Sequence, residues 1–172
     1  MKAGVFLFIS LLSFAKITAQ ESVFDVARYG TVQQMENLFR KNPDVVNEID
    51  SKKFSPLILA CYRGNEDVAM FLIEKVKDIN YTSGMGTALM AAVMNGNLKL
   101  VEQLIAHKAN LNVADKDGKT ALIYAVFFNK NEIAKMLIAA GADKMIKDND
   151  GKKAIDFAEF NSNTELIILL TK

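Results

Sequence analysis

The sequence predicts an all-α protein built as a stack of similar units, and two regularities support this fold class. The first is a column of alanines at nearly constant spacing along the chain: Ala27, Ala60, Ala92, Ala125 and Ala158. The second is a serine or threonine five residues before four of these alanines, with a large apolar residue three residues before all five. A fixed period of about 33 residues is typical of stacked repeats, because such a unit is too small to bury its apolar face alone.

Each unit is expected to contain two short helices. The serine or threonine suits the start of the first helix, where its oxygen can accept a backbone N–H. Gly64 and Gly96 lie four residues after their alanines, where that helix must end and the chain reverse, and Asn129 is the next best residue for the left-handed conformation needed there. Apolar residues then recur at helical spacing, as in the segment 68–73, and define the buried face of the second helix. The small alanines let paired helices approach closely, since larger side chains would overpack the joint.

Specific segments match a known repeat pattern. The stretch DKDGKTALIYA at 115–125 resembles the opening of an ankyrin repeat, D-x-x-G-x-T-P-L-H-x-A, and GAD at 141–143 resembles the exit of that repeat. Segments 55–80 and 87–112 match in the same register, so the resemblance covers residues 22–172. It implies an ankyrin repeat solenoid of five helix-turn-helix repeats with short β-hairpin-like connecting loops, the repeats spanning about 20–49, 50–81, 82–114, 115–147 and 148–172.

The chain departs from the ankyrin pattern in two places. The histidine column of the family is replaced by Asp25, Ile58, Met90, Ile123 and Asp156. The hydrogen bonds of that histidine are therefore expected to be missing or replaced by apolar packing, while aspartate in the first and last repeats suits polar capping units. The third repeat is also one residue short, which predicts a distorted hairpin around Met85.

The first 19 residues are expected to be a secretory signal peptide outside the fold. Lys2 is followed by eleven mostly apolar residues, Val5 to Ala15, and by a small-residue exit ending at Ala19. An uncleaved anchor is the less favoured alternative, because a bilayer span needs about 20 apolar residues. Cleavage would leave Gln20 first and 19 basic against 20 acidic side chains. We therefore expect a bacterial protein exported to the periplasm or beyond, without membrane insertion after cleavage.

Composition argues against several classes of function. Of 172 residues, 51% are apolar and 24% charged. The net charge of +1 and the absence of a basic run argue against a nucleic-acid-binding protein, which usually has a cluster of basic residues. Cys61 is the only cysteine, so no intrachain disulfide can form, and it is expected to serve as a small buried apolar side chain. Stability must come from packing of the stack, and we expect a monomer.

No catalytic, cofactor or metal site is expected, so the protein is predicted not to be an enzyme. His107 is the only histidine and is placed in a surface loop, and one histidine cannot build a usual metal site. The segments 115–118 and 148–151 contain aspartates, but their glycines fall too early for a calcium loop, and they predict hairpin turns instead. No nucleophile with a nearby base and no phosphate-binding loop is visible.

The candidate partner-binding residues lie mainly two positions after each column alanine: Tyr29, Tyr62, Met94, Phe127 and Phe160. The resemblance implies that this slot and the next residue, here Arg63, Asn95 and Phe128, line a concave face that contacts partners. Phe54 and Met85 would add apolar side chains at the hairpin tips, whereas tip lysines such as Lys52 are treated as ordinary solvated residues. Interfaces favour aromatic residues, methionine and arginine. The alternative, that these side chains extend the core, stays open, although Phe127 and Phe128 cannot easily both be buried on one helix.

The leading hypothesis is a non-catalytic, exported module that binds a protein partner through its concave face and hairpin tips. Two narrower alternatives stay open: a periplasmic inhibitor or immunity-type protein that occludes a toxin or hydrolase, and a protective scaffold for a periplasmic stress enzyme. A neighbouring gene for an effector would favour the former. Loss of stress resistance without loss of toxin protection would favour the latter.

Overall fold

A computed structural model describes residues 21–172, and ten α-helices lie in this part of the chain. They are α1 (Val23–Tyr29), α2 (Val32–Lys41), α3 (Pro56–Arg63), α4 (Glu66–Ile73), α5 (Ala88–Asn95), α6 (Leu98–Ala106), α7 (Ala121–Phe127), α8 (Asn131–Ala139), α9 (Ala154–Phe160) and α10 (Thr164–Thr171). A 3-10 helix, Pro43–Asn47, follows α2, and no strand occurs in the described range. The proposed signal peptide, residues 1–19, lies outside it.

The helices form two layers. The first helices of successive repeats (α1, α3, α5, α7, α9) contact one another in order, and the second helices (α2, α4, α6, α8, α10) do the same. Each repeat is closed by contact between its own two helices. The predicted all-α stack of five helix pairs is therefore confirmed.

The column alanines lie at the centre of this stack. All five are completely buried, on the first helix of each repeat. The second helices bury their apolar stripe against them, for example through Leu72 and Leu104, which are also inaccessible to solvent. Packing in such an interior is close, so an alanine column is what allows the helix pairs to meet.

The helix starts follow the predicted capping pattern. In the first four repeats the N-cap side chain accepts a hydrogen bond from the backbone of the helix that it opens: Ser22, Ser55, Thr87 and Thr120. The fifth repeat has Lys153 in this slot, and there Asp156 accepts the backbone N–H of Lys153 at 2.7 Å. The aspartate in the histidine slot thus supplies one half of a capping box at α9, in which the N3 carboxylate accepts the N–H of the N-cap residue.

In four of the five repeats the reversal between the paired helices uses a residue in the left-handed region, whereas Gly30 in the first repeat is extended. Gly64 and Gly96 end α3 and α5 with φ of 69° and 85°. Asn129 takes the equivalent position with φ of 54°, as predicted, and Ser162 does so in the last repeat with φ of 53°. Asparagine tolerates this conformation better than most residues with a Cβ.

Asparagines form several of the hydrogen bonds between repeats. Ile58, Met90 and Ile123, in the former histidine slots, are buried among apolar neighbours, so the predicted apolar replacement is confirmed. Asn65 donates from Nδ2 to three backbone carbonyls of the first repeat, and Asn161 donates to two of the fourth. These side chains join the C-terminal ends of α1 and α7 to the repeat that follows each of them.

The hairpins have a common design with one exception. In three of them, one carboxylate oxygen of an aspartate accepts the backbone N–H groups of the residues two and four positions later. These aspartates are Asp50, Asp115 and Asp148. The third repeat instead closes a shorter turn in which Ser83 and Gly86 exchange both backbone hydrogen bonds at 3.1 Å. The predicted distortion is thus confirmed, and it leaves Met85 exposed at the tip.

Candidate protein-binding surface

A groove of about 250 Å³ lies between the first helices of repeats one to three and the hairpins of repeats two and three. We call it the cationic groove. Its charged residues are Arg28 on α1, Arg63 on α3 and Lys52 in a hairpin. The other lining residues are Phe54, Ile58, Leu59, Tyr62, Met85, Ala91 and Met94. Hairpin and helix side chains from three repeats therefore meet in one depression.

The cations of the groove differ in their pairing. Arg28 contacts the carboxylates of Asp25 at 3.3 Å and Asp50 at 3.2 Å, and the Asp50 side chain is mostly buried. Arg63 instead places its guanidinium carbon 5.1 Å from the ring centre of Tyr29, in cation–π geometry. Within residues 21–172, neither Lys52 nor Arg63 has a carboxylate within 4.0 Å. Two positive charges are consequently available to a ligand.

A second exposed feature, the aromatic cluster, consists of Tyr124, Phe127, Phe128 and Phe157 on repeats four and five. The ring of Phe127 meets those of Phe128 and Phe157 edge to face, with centres 5.0 and 5.6 Å apart. Tyr124 stacks on Phe128 at 6.1 Å. Such pairs hold one another in defined orientations, so the cluster presents fixed rings to solvent.

The hydroxyl of Tyr124 is fixed by an acidic neighbour. It donates a hydrogen bond to Oδ2 of Asp115 at 2.5 Å. Burial, and then this hydrogen bond, raise the pKa of Tyr124 well above its usual range. The phenol therefore keeps its proton at any physiological pH and acts as a hydrogen-bond donor that anchors the cluster to the hairpin.

The structure separates the predicted partner-binding residues into two groups. The cationic groove contains Phe54, Tyr62, Arg63, Met85 and Met94, and the aromatic cluster contains Phe127 and Phe128. Tyr29 adjoins the groove beneath Arg63, while Phe160 lies at the end of α9 with 86% of its surface exposed. Asn95 is exposed and donates to the carbonyl of Tyr62 at 3.3 Å, so it also links repeats.

The alternative that these side chains extend the core does not describe most of them. Phe127 and Phe128 are each 44% exposed, and Tyr29 and Tyr62 are more exposed still. Met94 and Phe54 are half-buried. Their role in binding stays a prediction, but their surfaces are accessible to a partner.

Sequence reasoning missed some residues of both features. Arg28 lies directly after a column alanine, in a slot that holds Cys61, Val93 and Val126 in the next three repeats. A charged residue in a slot that is apolar in those three repeats is the signal that could have identified Arg28 as a surface residue. Tyr124 precedes Phe128 by four residues, a spacing that brings side chains together on a helix. The sequence predicts Lys52 at a hairpin tip as an ordinary solvated residue, and only the position of the hairpin beside α3 and α5 brings it to the groove.

The other candidates for chemistry take structural positions. Cys61 is completely buried, and burial raises the pKa of its thiol to about 12, so it is not a nucleophile in the folded state. His107 is exposed at the end of α6, with Nδ1 2.9 Å from the carbonyl oxygen of Gln103. Among the described residues no three His, Cys, Asp or Glu side chains are grouped to hold a metal ion. In the same range, every helix is too short or too polar to cross a membrane.

A two-layer stack of helix pairs with side chains presented from one face defines the class of repeat proteins. The model of the family "Ankyrin repeats (3 copies)" matches residues 23–115 and 77–148, and the chain belongs to this family. Ankyrin repeats generally mediate protein–protein interactions and are typically not catalytic.

The chain is also similar to much longer proteins. It is 29% identical over 100 residues to "Ankyrin repeat and SAM domain-containing protein 6" of Rattus norvegicus, and equally so to that of Mus musculus. The match covers 57% of this chain and 11% of each relative. The chain thus spans a small fraction of the length of these relatives, and the similarity concerns the repeats.

Proposed function

We propose that this protein is a non-catalytic module that binds a protein partner through the face formed by its first helices and hairpin tips. The observation that supports this most directly is the cationic groove, where three repeats contribute accessible aromatic, methionine and cationic side chains. These are the residue types that carry binding energy at protein interfaces. The aromatic cluster extends the same kind of surface to repeats four and five.

Recognition by this surface would require little rearrangement. The rings of the aromatic cluster hold one another, and Arg63 is placed over Tyr29 before any partner arrives. Ordering side chains on binding costs about 0.5–1.5 kcal/mol for each flexible side chain, so preorganised residues favour affinity.

The test is the double variant Tyr62→Ala/Phe127→Ala, which removes one ring from each group. We expect this variant to retain at least tenfold less of the partner that the wild-type protein retains from a native envelope extract. The reason is that truncation of an interface anchor commonly costs about 2 kcal/mol of binding free energy. Quantitative mass spectrometry of the retained proteins measures this. The melting temperature should change little, since both rings are exposed.

The matched control is Leu98→Ala/Ile168→Ala, which removes two equally exposed apolar side chains from the second-helix layer. It should retain the partner. Equal loss of the partner with both double variants would show that the rings do not form the binding surface. The same conclusion would follow if Tyr62→Ala/Phe127→Ala lost about 2–5 kcal/mol of folding stability, which is the cost of a core cavity.

We also propose that the chain is exported with cleavage after Ala19 and acts as a monomer. The support is the order of Lys2, an apolar stretch and a small-residue exit. Residues 1–25 fused to alkaline phosphatase should give periplasmic activity in a Gram-negative host, and a fusion lacking residues 2–19 should give none. The mass of the exported full chain should correspond to one beginning at Gln20. Activity from both fusions, or an uncleaved mass, would contradict the proposal.

A further inference from the structure

The charges around the cationic groove are unevenly distributed. Three cations line it, Arg28, Lys52 and Arg63, and none of its lining residues is acidic. Arg28 engages the carboxylates of both Asp25 and Asp50, so its own charge is compensated. Lys52 and Arg63 are therefore the cations of the groove that have no paired carboxylate within residues 21–172, on a chain that carries 21 basic and 20 acidic side chains in all.

The available cations are suited to carboxylates. Arg63 is held over the ring of Tyr29, which restricts its guanidinium without neutralising it. A guanidinium in a fixed position can donate two parallel hydrogen bonds to one carboxylate, which makes arginine a selective partner for aspartate and glutamate. Lys52, from the hairpin on the same groove, adds a second positive charge without a carboxylate of its own among residues 21–172.

Most of the other lining residues of the groove are apolar. Phe54, Ile58, Met85 and Met94 provide side chains there, and methionines adapt to irregular apolar surfaces. The volume of about 250 Å³ is below the roughly 300–1,000 Å³ of small-molecule and cofactor sites. It is suited to one large side chain of a longer polypeptide.

We propose that the cationic groove binds an acidic segment of a partner protein, with one large apolar side chain inserted between Arg63 and Lys52 and carboxylates on either side of it. The inference rests on the proposed function and adds the chemistry of the partner. Complementary charge sets the register of such a segment and speeds its association, while the apolar side chain supplies the contact area.

The experiment is selection of random 12-residue peptides, displayed on phage, against the chain of residues 20–172. Enriched peptides should contain Asp or Glu on both sides of an aromatic or large aliphatic residue. The strongest of them, labelled with a fluorophore, is then titrated by fluorescence polarisation. Binding should weaken at least tenfold in the variant Lys52→Glu/Arg63→Glu, and also when NaCl is raised from 50 to 500 mM, because exposed charges are screened.

The control is Lys116→Glu/Lys147→Glu, which changes the net charge equally at exposed lysines outside the groove. It should bind the peptide within twofold of the wild type. Equal weakening in both variants, enrichment of neutral or basic peptides, or no enrichment would overturn the inference. If the Tyr62→Ala/Phe127→Ala variant still loses its natural partner in that case, the proposed function stands and only the acidic chemistry is wrong.

A second copy of the chain is the competing occupant, because Glu159 and the exposed Phe160 place a carboxylate beside a large ring. Light scattering after size-exclusion chromatography distinguishes self-association from binding of a partner protein. A single-chain mass over the concentrations used supports the partner protein, whereas a dimer that Lys52→Glu/Arg63→Glu disperses would assign the groove to self-association and overturn the proposal.

Discussion

Replacing Lys119 by methionine is expected to lower the free energy of unfolding by about 3 kcal/mol, because it leaves a buried carboxylate without its counter-charge. The Asp148 side chain is 1% exposed, and its Oδ2 lies 3.6 Å from Nζ of Lys119. That oxygen forms no hydrogen bond within the described residues. Its other oxygen accepts the N–H groups of Asp150 and Lys152, so the carboxylate is fixed in the turn and cannot move to solvent. Urea unfolding followed by circular dichroism measures the loss.

The double variant Lys119→Met/Asp148→Asn is the informative control. It removes both charges and keeps an oxygen that can accept the two turn hydrogen bonds, so it should be more stable than Lys119→Met alone. Lys116→Met, at an exposed position of the same hairpin, should change stability by no more than about 0.5 kcal/mol. If the double variant is less stable than the single one, the electrostatic account of this pair is wrong.

The substitution Asn65→Asp is expected to lower the free energy of unfolding by about 2 kcal/mol and to act mainly on the first repeat. Nδ2 of Asn65 donates to the carbonyl oxygens of Gly30 at 3.0 Å, Ala27 at 3.2 Å and Val26 at 3.4 Å. An aspartate of the same shape has no hydrogen to donate and brings negative charge to three carbonyls. Hydrogen exchange should therefore accelerate for the amides of α1 and α2, while those of α9 and α10 keep their protection.

Asn37→Asp provides the matched control in the same repeat. Asn37 accepts a hydrogen bond from Arg40 through its oxygen, which an aspartate retains. This variant should have wild-type stability and exchange. Uniform acceleration across all repeats in Asn65→Asp would contradict the assignment of Asn65 as a link between the first two repeats.

The predictions that succeeded depend on local geometry repeated at a fixed spacing. A serine or threonine that caps a helix and a glycine or asparagine in the left-handed region act within a few residues, so Ser55, Gly64 and Asn129 could be assigned without knowing the stack. The spacing then placed equivalent positions next to each other. This is why rings at Tyr62 and Phe127 could be expected along one face, whereas their exposure became known only from the structure.

The site was harder to predict, because its charges depend on contacts between repeats. Arg28 forms its ion pair with Asp50, 22 residues away, and Arg63 meets the ring of Tyr29 in the preceding repeat. No sequence motif indicates either contact. The candidate surface also consists of two features, a cationic groove and an aromatic cluster, whereas the resemblance implied a single concave face.

The number of repeats, the ends of their first helices and the buried alanine column could be predicted from the residues alone, since these features follow from short-range rules and a regular repeat period. The packed stack was needed to learn which side chains carry charge into the groove, which asparagines join the repeats and which carboxylate is buried beside Lys119. The repeat period determines which equivalent positions lie next to each other in the stack. Distances of a few ångströms between side chains depend instead on how each hairpin and helix packs against the next.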